Sequence, residues 1–89
     1  LIADDDASLR RELSEALQRP GFRIDTAADG VQVRQRLKAQ TYDLILLELR
    51  MSGVDGMTLL EQVRRRSPDT QVIVLAAHGS VATAVETMK

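Results

Sequence analysis

Carboxylates gather where apolar runs of this chain end. Leu1-Ile2-Ala3 runs straight into Asp4-Asp5-Asp6, and Leu44-Ile45-Leu46-Leu47 runs into Glu48. Carboxylates brought close together repel, and at least one has its pKa raised unless a cation joins them. Hard oxygen ligands without Cys or a paired His favour Mg²⁺, which takes one or two carboxylates and completes its shell with water and phosphate. Helix capping is the simpler reading, because Asp is a good cap and is favourable at a helix N-terminus. One aspartate needs no more than that. Three in a row and a fourth carboxylate behind another apolar run point further, to a divalent-cation site.

Other candidates carry less. Val72-Ile73-Val74-Leu75 is followed by Ala76, Ala77 and His78, and Ala27 by Ala28 and Asp29. His78 has no paired nucleophile and reads as a solvent-facing loop residue. Ser8 and Ser80 read as helix caps. Arg64-Arg65-Arg66 and the Arg34, Arg36, Lys38 set have no aromatic interleaved and read as solvated faces, the first helped by its place at a helix C-terminus.

The elements that must position these groups alternate in period. Leu9, Leu13, Ala16 and Leu17 share one helical face, capped by Asp6 or Ser8 and stopped by Pro20-Gly21. Phe22, Ile24 and Ala27 are spaced as a short strand, with Asp29-Gly30 as a turn signal. Val33 and Leu37 mark a second helix. The Leu44–Leu47 run suits a strand buried on both faces. A loop from Leu49 to Asp55 leads to a third helix with Met57, Leu60 and Val63 inward, broken by Ser67-Pro68-Asp69. Val72–Leu75 is expected to be another doubly buried strand. Gly79-Ser80 is expected to open a fourth helix with Val81, Val85 and Met88 on one face. Such β-α alternation predicts a doubly wound α/β domain with a parallel sheet and helices on both faces.

Composition sets the outer limits. Eighty-nine residues fit one small domain, here residues 1–89. Twelve basic against thirteen acidic residues leave a net charge of −1, which argues against direct nucleic-acid or membrane binding through charge. The absence of Cys excludes disulfides and thiolate chemistry and suits a cytoplasmic setting. No apolar run approaches the length of a membrane span. The chain opens at Leu1 within an expected strand and stops at Lys89 within an expected helix, so it reads as a fragment.

Three stretches together resemble one family. Leu1-Ile2-Ala3-Asp4-Asp5-Asp6 with Leu9-Arg10 is similar to the opening of a bacterial response-regulator receiver domain. Tyr42 to Gly56 is similar to the stretch around that family's phosphorylated aspartate. Val72 to Ser80 is similar to its fourth strand and following loop. The stretch from Gly79 to Lys89 is most similar to receivers of the nitrogen-regulation type, which precede an ATPase and a DNA-binding domain. The resemblance implies a flavodoxin-like receiver fold with four β-α units present and the fifth strand and helix missing. It implies that Asp4 and Asp5, with Glu48 and the backbone carbonyl of Arg50, serve a Mg²⁺ site. It implies a signalling module rather than an enzyme, phosphorylated by a sensor histidine kinase and acting on a C-terminal output domain. The missing unit would cover the fourth strand and pack beside the first helix. Either it lies outside this chain, or the piece is marginally stable or self-associating.

The sequence departs from the family pattern at three positions. Glu48 occupies the acceptor position, where the family has Asp. The extra methylene displaces the carboxylate by about 1.5 Å, and a misplacement of about 1 Å costs on the order of 100-fold in a positioned reaction. Ala76, followed by Ala77, occupies the switch position, where the family has Ser or Thr. A hydrogen bond to a charged group is worth ~1.5–3 kcal/mol, so its loss biases a two-state switch by roughly 10- to 150-fold. Ser52 replaces the usual Pro and loosens the loop after Met51. These departures predict a receiver that keeps its cation site but is impaired in, or independent of, phosphorylation.

Two rivals remain. Asp4-x-Asp6-x-Ser8 after an apolar strand resembles the nucleophile motif of haloacid-dehalogenase-like Mg²⁺-dependent phosphohydrolases, although Ala76 stands where that family wants Ser or Thr. A non-switching interaction module would bind no Mg²⁺ at all.

Overall fold

The computed structural model describes residues 1–51, 53 and 55–75. The elements run in the order β1 (Ile2–Ala3), α1 (Ala7–Ala16), β2 (Thr26–Ala27), α2 (Gly30–Ala39), β3 (Leu44–Glu48), α3 (Gly56–Arg66) and β4 (Gln71–Leu75). All four strands are parallel, in the spatial order β2-β1-β3-β4. The chain steps outward from β1 to β2, then returns to the other side of β1 for β3. The strand order therefore reverses between β1 and β3, and a crevice opens there at the carboxyl ends of the strands.

One face of the sheet carries the core. Ala3, Ala27, Ile45, Leu47, Val72 and Val74 pack with Val33 of α2 and with Leu59, Leu60 and Val63 of α3. The other face is less covered. Ile2 and Leu46 are buried, but Ile73, the register partner of Leu46, is 40% exposed. Val72–Leu75 is thus not the doubly buried strand its unbroken apolar run predicts: its two faces meet different surroundings, which composition does not reveal. The fourth helix expected from Gly79 lies outside the described residues.

Local signals place most helix ends. Asp6, rather than Ser8, caps α1, accepting from the N–H groups of Ser8 (2.9 Å) and Leu9 (3.2 Å). Asp29 caps α2 through the N–H of Gln32 (2.8 Å), so Asp29-Gly30 starts a helix instead of making a turn. Asp55 caps α3, accepting from the Met57 N–H and the Thr58 hydroxyl. Two apolar assignments differ from the periodicity. Phe22 lies outside β2 and is 65% exposed, and Met57 is 45% exposed while Leu59 takes its inward place. Strand β2 begins later than the pattern suggests, whereas Met57 stands in the first turn of α3 on its exposed side.

Two contacts tie the elements together. Beneath β1, the Tyr42 hydroxyl donates to Asp25 Oδ2 at 2.7 Å, and the Gln40 amide donates to both side chains. These bonds link the segments that lead into β2 and β3. The Tyr42 hydroxyl is the main cause that holds the Asp25 carboxyl below its ordinary range, with Arg23 and Arg36 assisting against desolvation. A depressed carboxyl contributes stability above its unfolded pKa and loses it as pH falls through the folded one. Tyr42→Phe is expected to cost about 1 kcal/mol at neutral pH. The loss should shrink on acidification, as read by urea denaturation across a pH series.

The second contact is steric. A Cβ built on Gly56 would stand 2.4 Å from the Cα and 2.5 Å from the carbonyl oxygen of Leu49. The first turn of α3 therefore lies directly on the loop that leaves β3. Because the obstacle is backbone, it cannot swing aside. Gly56→Ala is expected to destabilise the fold by about 2–3 kcal/mol, the upper range for overpacking, measurable as a lowered urea midpoint.

Candidate functional site

The site is built by register. Ile2 and Ala3 of β1 lie beside Leu46 and Leu47 of β3, so the next residue on each strand, Asp4 and Glu48, leaves the sheet at the same level in the crevice. Both are buried, at 2% and 7% exposure, and they are the buried acidic residues among those described. The structure thus brings together two of the sequence-predicted site residues from positions far apart in the chain.

Their hydrogen bonding is incomplete. Asp4 Oδ1 accepts from the Asp6 N–H at 2.8 Å, while Asp4 Oδ2 is buried without a partner. Desolvation pushes the Asp4 carboxyl above its ordinary range. The Asp6 amide pulls it back, and the charges of Glu48, Asp5 and Asp6 push it further up. Glu48 Oε1 accepts from the Arg50 N–H at 3.0 Å, which turns the glutamate toward its own following loop. Met51, buried at the base of that loop, anchors it to the core.

The remaining predicted residues stand differently. Asp5 is exposed at the rim, where its charge reaches Asp4. Asp6 is exposed and caps α1 through Oδ1. Among the described residues, no three acidic or histidine side chains converge closely enough to form a complete metal cage. What the site offers is a buried carboxylate pair in which Asp4 Oδ2 is buried and unpartnered. That suits a cation which keeps most of its own water. Ser52, Ala76, Ala77 and His78 lie outside the described residues.

One contributor was missed by periodicity. Arg10, placed off the apolar face of α1, is half-buried and donates from Nη1 to the Asp4 carbonyl at 2.7 Å. Its signal was its position four residues after the Asp6 cap, since helical side chains lean back toward the N-terminus. The guanidinium bonds the backbone of Asp4, and the carboxylate keeps its unpartnered oxygen.

Comparison with known proteins settles the family. The family model described as "response regulator receiver domain" matches residues 1–89, the whole chain. The chain belongs to the response-regulator receiver family. The receiver is 38% identical over 84 residues to the DNA-binding transcriptional regulator NtrC of Escherichia coli K12, covering 94% of this chain and 18% of that protein. It is 34% identical over 89 residues to the transcriptional regulatory protein ZraR of Klebsiella oxytoca, all of this chain and 20% of that protein. The receiver thus spans about a fifth of the length of these curated relatives. Among solved structures, it superposes on the response regulator TrrA of Thermotoga maritima, determined in complex with Mg²⁺-BeF, with a TM-score of 0.79 at 28% identity, over 99% of this chain and 78% of that one. The flavodoxin-like receiver fold expected from the sequence stands.

A raised carboxyl at the centre of the receiver has a pH consequence. Between its unfolded pKa and its raised folded one, Asp4 binds more protons folded than unfolded. Stability contributed by this group therefore falls as pH rises through that window. In metal-free buffer, Asp4→Asn is expected to flatten that part of the pH–stability profile. It should also stabilise the domain at pH 7 by about 1 kcal/mol, the scale of one buried unsatisfied group, as read by urea denaturation.

Proposed function

We propose that this receiver binds Mg²⁺ between Asp4, Asp5, Glu48 and the Arg50 carbonyl, and relays a signal from a sensor histidine kinase to a C-terminal output domain. In this reading it works with little or no phosphorylation of its own. The observation that carries the reading is the buried Asp4–Glu48 pair at the strand-order reversal, with Asp4 Oδ2 unpartnered. A cytoplasmic setting and an output in transcription belong to the same reading, which rests on the relatives named as transcriptional regulators.

Each group has a definite part. Asp4 holds a desolvated negative charge with one oxygen free toward the crevice. Asp5, at the rim, stays hydrated and is suited to hold a cation through its water. Arg10 fixes the Asp4 backbone, and the Asp6 N–H holds the carboxylate through Oδ1. Bound Mg²⁺ would supply the charge neutralisation that a carboxylate pair and phosphoryl oxygens require. Glu48 sets the departure from the family: its carboxylate lies one methylene beyond the acceptor position and bonds the Arg50 N–H. A fixed negative charge held there stands near the place of a phosphoryl group.

The metal half is tested by titrating the 89-residue chain with Mg²⁺ and following thermal stability. Stabilisation that saturates, and that disappears in Asp4→Asn, supports it. No stabilisation would favour a non-switching interaction module. The acceptor half is tested by incubation with acetyl phosphate and Mg²⁺ and by intact mass. Little or no adduct is expected on the native chain, with Glu48→Asp phosphorylated on the order of 100-fold faster. Stoichiometric, base-labile phosphate on Glu48 would overturn it.

A further inference from the structure

The two basic sets that look unrelated along the chain share one groove. Arg34 and Lys38 stand one turn apart on α2, and Arg65 and Arg66 close α3; with Gln62 they line a groove of about 310 Å³ between the helices. None of these four cations makes an ion pair among the described residues. Helix α2 contains no Asp or Glu, and Glu61, the carboxylate of α3, is not part of the groove lining. A favourable place at a helix C-terminus accounts for Lys38, Arg65 and Arg66 one at a time. It does not account for Arg34 at mid-helix, nor for the convergence of cations from two helices on a groove without a carboxylate.

We propose that the α2–α3 groove docks an acidic protein segment, one presenting Asp or Glu side chains a helical turn apart. Arg34 and Lys38 are spaced to meet such carboxylates, since residues four apart on a helix are neighbours at about 5–6 Å. Arg adds planar, two-pronged recognition of carboxylate. A single-stranded nucleic acid fits less well, because no aromatic side chain lines the groove for bases to stack on. Both helices run back against the parallel strands, so their C-terminal ends lie at the end of the domain away from Asp4 and Glu48. The groove and the carboxylate crevice are therefore separate surfaces, and the groove does not depend on the proposal for the crevice.

The test uses the 89-residue chain and a synthetic helical peptide carrying glutamates one turn apart, with its glutamine counterpart as control. Binding is followed by NMR shift changes and fluorescence anisotropy. The glutamate peptide is expected to bind and to shift resonances of α2 and α3. Arg34→Glu with Lys38→Glu should weaken binding by about tenfold or more, whereas the matched reversal Arg11→Glu with Arg19→Glu should change it by less than about twofold. Arg34→Gln with Lys38→Gln, which removes charge without reversing it, should give an intermediate loss. Equal losses in the two reversals, equal binding of the glutamine peptide, or tighter binding of an oligothymidylate would each overturn the proposal.

Discussion

The domain depends on the register between β1 and β3. Pairing Ile2 with Leu46 and Ala3 with Leu47 buries the centre of the sheet, and the same alignment delivers Asp4 and Glu48 to one crevice. The two results are inseparable. A slip of one residue would turn the apolar residues of β3 to the wrong face and would separate the carboxylates. Hydrophobic burial therefore holds in place an electrostatic arrangement that is unfavourable by itself. The unpartnered oxygen of Asp4 is tolerated because the surrounding core fixes both strands.

Much of this was legible in the chain. The alternation of apolar runs and amphipathic stretches gave the element order and the parallel sheet. Asp6 and Asp55 stand just before helices as expected, whereas Asp29, expected in a turn, is a third N-cap. The site pair was legible in part: apolar runs mark the strand ends that carry Asp4 and Glu48, while the adjacency of β1 and β3 comes from the fold. What was not legible shared one cause: burial of a side chain depends on what lies across from it. Phe22 and Ile73 are as apolar as their buried neighbours, yet they stand 65% and 40% exposed. Arg10 has the opposite character and is half-buried, because its head finds a backbone carbonyl. The α2–α3 groove follows the same rule, since two basic stretches far apart in sequence became one surface through helix packing.

Glu48 shows how a local bond and strand register combine. Glu48 is long enough to reach forward to the Arg50 N–H, which forms part of the backbone just beyond β3. The glutamate thus organises its own loop while remaining beside Asp4. Its carboxylate is thereby divided between two tasks, bracing the loop and charging the crevice.

The contact between Gly56 and Leu49 has a mechanical consequence. With no side chain between them, the start of α3 and the strand exit behind Glu48 form one rigid joint. Helix α3 runs from that joint at the crevice to Arg65 and Arg66 at its far end. A displacement of the loop would be passed directly to the first turn of α3, because no side chain lies between them to absorb it. Absence of a methyl group at one position thus joins the helix to the strand exit without a cushion between them.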